Sequence, residues 1–216
     1  MKFLRPSRRT QAFTLVEILT VITIISILAA IGFGGFRVAI NKSNGRNTLA
    51  RITALQSNLQ GYKNDAGEFP EPLDKDSTIN VKNQAYRSGG AEMLYQVMSG
   101  DGNSAIKGGT DPSTGIAGSV GKVYWEEVVA PTSKEIENKK TKPMVGVSED
   151  EAYYMIDGWR KPFQYVKAIK DRNKRISNVD EMHSDGEYEI WSYGALDKPL
   201  EDEESQREWI SSWGSN

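Results

Sequence analysis

Cysteine is absent from the 216 residues. Disulfide frameworks, thiolate-bound zinc, iron–sulfur clusters and thiol catalysis are therefore excluded. Histidine occurs once, as His183, so a multi-histidine metal site is impossible and a Ser-His-Asp hydrolase would have to use that ring. His183 stands beside Ser184 and Asp185 in the sequence, whereas hydrolase triads are assembled from distant segments. An excess of one charge is also lacking. The 27 Lys+Arg face 29 Asp+Glu, a formal net charge of −2, which argues against a nucleic-acid binder built on a basic stripe. Residues 99–121 are rich in Gly, Ser and Asp, but they contain no Gly-Lys-Ser/Thr step, so they are no phosphate cradle. Asp101-Gly102-Asn103 lacks the remaining ligands of an EF-hand, and the stretch reads as a surface loop.

What is present begins at the N-terminus. Residues 1–12 hold Lys2, Arg5, Arg8 and Arg9 and no acid. Residues 13–36 read FTLVEILTVITIISILAAIGFGGF, with Glu17 as the one charge. The uncharged run over 18–36 would cover roughly 28 Å as a helix, close to the ~30 Å hydrocarbon core. A lone strand could not satisfy its backbone in lipid, so a helix is expected despite the many β-branched residues. The basic leader would stay cytoplasmic and send the rest of the chain outward. A secretory signal cleaved near Ala30-Ile31-Gly32 is one alternative, and a plain anchor is another. Neither accounts for Glu17, because a carboxylate in the apolar run costs about 2.5–3.5 kcal/mol at mid-membrane and calls for a partner.

Gly34-Gly35 would weaken the helix and Asn44-Gly45 would offer a break. Helical spacing resumes with Leu49, Ile52, Leu55, Leu59 and Tyr62, an apolar stripe opposite Arg51, Gln56, Asn58 and Gln60. That stripe suits packing on the chain's own globular part better than a coiled coil. The turn cluster Asn64-Asp65-Ala66-Gly67 should end the helix. A short amphipathic helix is expected over 91–98, an apolar element of uncertain type over 123–129, and a solvated charged connector over 134–142. Alternation marks strands at 163–169 and 188–193, with a polar hairpin connection over 170–186. Together these give an α+β fold in which a long N-terminal helix packs on a small antiparallel sheet with one buried face. The five tryptophans (Trp125, Trp159, Trp191, Trp209 and Trp213) suit a core better than a sugar platform.

The run QAFTLVEILTVITIISILAAI resembles the class III signal of type IV pilins and type II secretion pseudopilins: a basic leader, a small residue, Phe, Thr-Leu-x-Glu and a long apolar helix. The resemblance implies cleavage by prepilin peptidase between Ala12 and Phe13 and N-methylation of Phe13. Glu17 becomes the fifth mature residue, whose carboxylate is expected to meet the terminal amine of a neighbouring subunit and set the axial register. Such a pair is better viewed as specificity than as net stability. Ala12 stands where the family usually has Gly. Further matches are GYKNDAGEFP (61–70), DGWRKPFQY (157–165), WSYGA (191–195) and ISSW (210–213). In the second of these, Gly158 replaces the family's Pro and Arg160 its Gly.

The family's major pseudopilins usually hold Ca²⁺ in the loop after the second strand, through Asp side chains and main-chain carbonyls. Hard oxygen ligands suit that ion. Here Leu196 takes the first expected Asp position. Asp197, Glu201, Asp202, Glu203, Glu204 and Glu208 leave either a candidate Ca²⁺ loop or a solvated acidic one. The resemblance thus implies four segments: a leader at 1–12, a transmembrane and filament helix at 13–36, its amphipathic second half at 37–66, and a globular head at 67–216. The subunit would be structural and non-enzymatic, a single-pass inner-membrane protein with an extracytoplasmic head. Its partners would be copies of itself, other pseudopilins, prepilin peptidase and the inner-membrane assembly platform. A minor or adhesive type IV pilin, or a plainly anchored binding or enzymatic domain, are the competing readings. Cleavage would remove four basic residues and no acid, leaving 23 basic against 29 acidic side chains, a net charge of −6.

Overall fold

The computed structural model describes residues 14–73, 77–101, 122–138, 142–149, 152–168, 182–196, 198–199 and 202–213, with the side chains of 30–35 outside the described set. The expected cleavage pair Ala12-Phe13, most of the Gly/Ser/Asp-rich loop and most of the 170–186 connection also lie outside it. The chain divides into two compact units, Met1–Lys42 and Ser43–Asn216.

The first element, α1, is a helix over Leu15–Ala66. It runs through both Gly34-Gly35 and Asn44-Gly45, so neither pair breaks it. A helical glycine costs only about 1 kcal/mol relative to Ala, a cost that a helix of this length absorbs. From Leu15 to Leu28 the large apolar side chains of α1 are exposed. Among the described residues no helix is long and apolar enough to cross a membrane. The side chains described before the gap at 30–35 end at Ala29, which at about 1.5 Å per residue falls short of a ~30 Å core.

In the second unit the buried stripe of α1 is Thr48, Ile52, Leu55, Leu59 and Tyr62. Leu49, expected on that stripe, is 53% exposed, and Thr48 takes the place. The spacing 48-52-55-59-62 keeps one face, and position 49 lies about 100° around the helix from position 48. The helix ends at the foreseen turn, with Gly67 in the left-handed region (φ 86°) and its N–H donating to the Lys63 carbonyl at 2.8 Å.

After α1 come the hairpin β1 (Thr78–Val81) and β2 (Gln84–Arg87), then helix α2 (Gly89–Ser99) and the short helix α3 (Ser133–Glu137). A second hairpin pairs β3 (Val145–Val147) with β4 (Tyr153–Met155). A three-stranded antiparallel sheet has the order β5 (Gln164–Lys167), β6 (Tyr188–Ser192), β7 (Ile210–Ser211), with helix α4 (Glu203–Gln206) just before β7. The fold is α+β, as expected: a long N-terminal helix followed by small antiparallel sheets. β5 and β6 are the two foreseen strands. α2 is the foreseen short helix, and it is buried so deeply that Gln96 is enclosed along with its apolar residues. The charged connector starts as α3, capped reciprocally by Thr132 and Glu135. Residues 123–129 form turns, with the N–H groups of Tyr124 and Trp125 donating to the Met98 carbonyl.

The main core joins Ile52, Leu55 and Leu59 of α1 to Leu94 and Met98 of α2, Phe163, Tyr165 of β5 and Ile190 of β6. The sheet buries both faces rather than the one expected. Tyr165 and Ile190, paired across β5 and β6, belong to that core. On the opposite face Trp191 packs with Tyr86, Tyr193 and Trp209. Leu59→Ala should cost about 2–5 kcal/mol in urea unfolding. Leu49→Ala should cost about 0.5 kcal/mol or less. Equal losses at the two sites would refute this register.

Candidate functional site

At the start of α1, Glu17 is tied to Thr14. The Thr14 N–H and hydroxyl each donate to Glu17 Oε2 at 2.8 Å, and the Glu17 N–H donates to Thr14 Oγ1 at 3.2 Å. This is a capping box with Thr14 as the N-cap, three residues before Glu17. The Thr-x-x-Glu signature that marks it stands in the sequence, where the resemblance assigns Glu17 to assembly alone. Glu17 therefore meets a local partner within its own chain, which satisfies two N–H groups at the end of α1.

The second group of motif residues forms the turn between β4 and β5. Ile156 bridges Pro162, and the Asp157 N–H donates to the Lys161 carbonyl at 2.8 Å. Asp157 is 1% exposed. Its Oδ1 accepts the N–H groups of Trp159 and Lys161, both at 2.8 Å, and its Oδ2 accepts the Ser192 hydroxyl. Burial pushes the Asp157 carboxyl up from the ordinary aspartate range, while these bonds pull it back. The turn is fixed to α1 by Arg51, whose guanidinium donates to the carbonyls of Ile156 and Asp157 at 2.8 and 2.9 Å.

The substitutions in this motif have local causes. The Gly158 N–H donates to Thr48 Oγ1 at 2.9 Å, a bond that the family's Pro could not make. A Cβ on Gly158 would also stand 2.4 Å from the Asn44 carbonyl oxygen of α1. Arg160, in the place of the family's Gly, holds the left-handed φ of 67° that a glycine would adopt freely.

In the acidic loop, Asp197 and Glu201 lie outside the described residues. Asp202 is the N-cap of α4, its carboxylate accepting the Ser205 N–H at 3.0 Å and hydroxyl at 2.8 Å. The Ser205 N–H holds its carboxyl below the usual range. Glu203, Glu204 and Glu208 are exposed. Among the described residues no group of three His, Cys, Asp or Glu is placed to hold a metal ion.

His183 stands between three tryptophans and a buried carboxylate. Its ring stacks on Trp213 at 5.1 Å and 5°, and meets Trp191 and Trp209 edge-on. The Glu189 side chain, 0% exposed, accepts the backbone N–H groups of His183 and Ser184, and His183 Nδ1 lies 3.1 Å from it. Ser184 and Asp185 make no triad with His183. Three of the five tryptophans thus serve packing around one histidine.

Residues 7–33 match the prokaryotic N-terminal methylation motif. This is the signal read by prepilin peptidase in type IV pilins and pseudopilins. The match covers the leader and the start of α1. It supports a processed, membrane-anchored, pilin-like subunit. No curated protein and no solved structure matches the chain.

Gly158→Ala should destabilise the second unit by about 1–3 kcal/mol in urea unfolding through the clash with α1. Gly158→Pro should cost more, since it also removes the donor to Thr48. Wild-type stability in both variants would show that the close approach is not needed.

Proposed function

We propose that this chain is a structural subunit of a type II secretion pseudopilus, of major-pseudopilin kind, that supports protein secretion without chemistry of its own. Prepilin peptidase cuts between Ala12 and Phe13 on the cytoplasmic side, and Phe13 is N-methylated. Residues 13–36 hold the subunit in the inner membrane, with the head extracytoplasmic. Assembly with other copies and with other pseudopilins then proceeds on an inner-membrane platform.

The observation that carries this reading is the methylation motif running into a helix that leaves its apolar side chains exposed. Exposed apolar surface on this scale needs lipid or neighbouring helices to cover it. Glu17 then has two successive partners. It caps its own helix through Thr14 in the free subunit and meets the terminal amine of a neighbour in the filament. In an apolar bundle that second attraction is weakly screened.

N-terminal mass spectrometry of the mature protein tests the processing step. A start at methylated Phe13 is expected. An intact Met1 would indicate a plain anchor, and a start after residue 30 would indicate a cleaved secretory signal. Glu17→Ala should be cut normally yet fail to polymerise, as read by filament yield after shearing. Normal yield would remove Glu17 from assembly.

A further inference from the structure

The carbonyls of Gly194 and Leu196 both point at one atom, the Nζ of Lys161. The bond to Gly194 is 3.0 Å long, and a second, short bond reaches Leu196. Lys161 is 8% exposed. A buried ammonium needs acceptors for its three donors, and main-chain carbonyls are the hard oxygen donors that also suit Ca²⁺. This is the loop in which the family resemblance implies a calcium ion. The carbonyl part of such a donor set is engaged by Lys161, and Asp202 is engaged as the cap of α4. The donors described here therefore do not fit the ion.

We infer that Lys161 is the resident cation of the Gly194 and Leu196 carbonyls, and that among the described residues of the 194–208 loop these donors hold it in place of a divalent metal. A second observation points the same way. Lys161 lines a concavity of about 300 Å³ together with Lys82, Lys198, Tyr86 and Trp159, and none of the described residues lining it is acidic. A divalent ion approaching from that side meets three ammonium groups, whose like charges repel it. The covalent attachment of the cation also changes what the loop responds to. The place of the Gly194 and Leu196 carbonyls then follows from β4 and β5, which position residue 161, rather than from a calcium concentration.

The test uses the full-length chain in detergent micelles. Its thermal midpoint is measured in EGTA and in about 5 mM CaCl₂, which covers the millimolar affinities of extracellular calcium modules. Lys161→Met is measured alongside. The expected result is a wild-type midpoint that is the same with and without calcium, within about 1 °C, and no saturable heat on calorimetric titration. Lys161→Met should melt roughly 3–12 °C lower, since it removes charged hydrogen bonds to two carbonyls in a chain of this size. A calcium-dependent rise of the wild-type midpoint by more than about 3 °C, or a saturable calcium heat, overturns the inference even if Lys161→Met fails to fold. So does a Lys161→Met midpoint equal to that of the wild type.

Discussion

Arg51 and Thr48 take hold of main chain, not of side chains, and that constraint organises the second unit. The guanidinium of Arg51 reaches two successive carbonyls at the end of β4, and Thr48 accepts the N–H of Gly158 one residue further on. Backbone can come this close to a helix only where a side chain is missing, which is why a glycine sits at 158. With that contact made, Asp157 is buried and gathers the N–H groups that close the turn. Lys161 is then directed at the carbonyls beyond β6, and Ser192 of β6 is drawn onto Asp157. Helix, turn, central strand and following loop are thus linked through one short segment.

The same economy recurs with the other buried charges. Glu189 is closed off from solvent, yet what it binds is largely the N–H groups of His183 and Ser184. Lys161 likewise donates to two main-chain carbonyls. Backbone partners are fixed by the fold and carry no rotamer entropy, so a buried charge held by them specifies a loop conformation more tightly than a flexible surface pair would. Lys167, by contrast, reaches two exposed acids, Glu68 and Glu71, at 3.0 and 2.7 Å.

Periodicity made the second half of α1 legible, and turn chemistry marked its end at Gly67, because both are local signals. It misassigned Leu49, since a Thr that satisfies its hydroxyl on Asn44 and accepts from Gly158 can sit in a core where a hydrophobicity pattern leaves no room for it. β5 and β6 were readable from alternation. β7, two residues long, and the two hairpins were not, because strands of two to four residues are defined by their partners rather than by their own composition. The hairpin β1–β2 turns through Lys82 and Asn83, both at positive φ, without the Asn-Gly or Asp-Gly that would announce it. For the site, the Thr-x-x-Glu cap was visible in plain sequence and was overshadowed by the longer signal containing it. The meeting of Lys161 with residues 194 and 196 depends on the pairing of β5 with β6, which no local pattern encodes.

Ser212 has a consequence for the order in which this chain can fold. Its N–H donates to the Ile190 carbonyl, its hydroxyl accepts the Ile190 N–H, and its own carbonyl accepts from Gln56 of α1. Helix α1 therefore completes this set of polar contacts only with a residue 156 positions later in the chain. Contacts of such separation must bear the loop-closure entropy before they return any stability. A chain delivered from its N-terminus can cover part of the Ile52-to-Tyr62 stripe early with Leu94 and Met98 of α2, but the polar tie through Gln56 closes only once residue 212 arrives. Where the head reaches its compartment by passage through a membrane, the three-stranded sheet stays incomplete until β7 has passed.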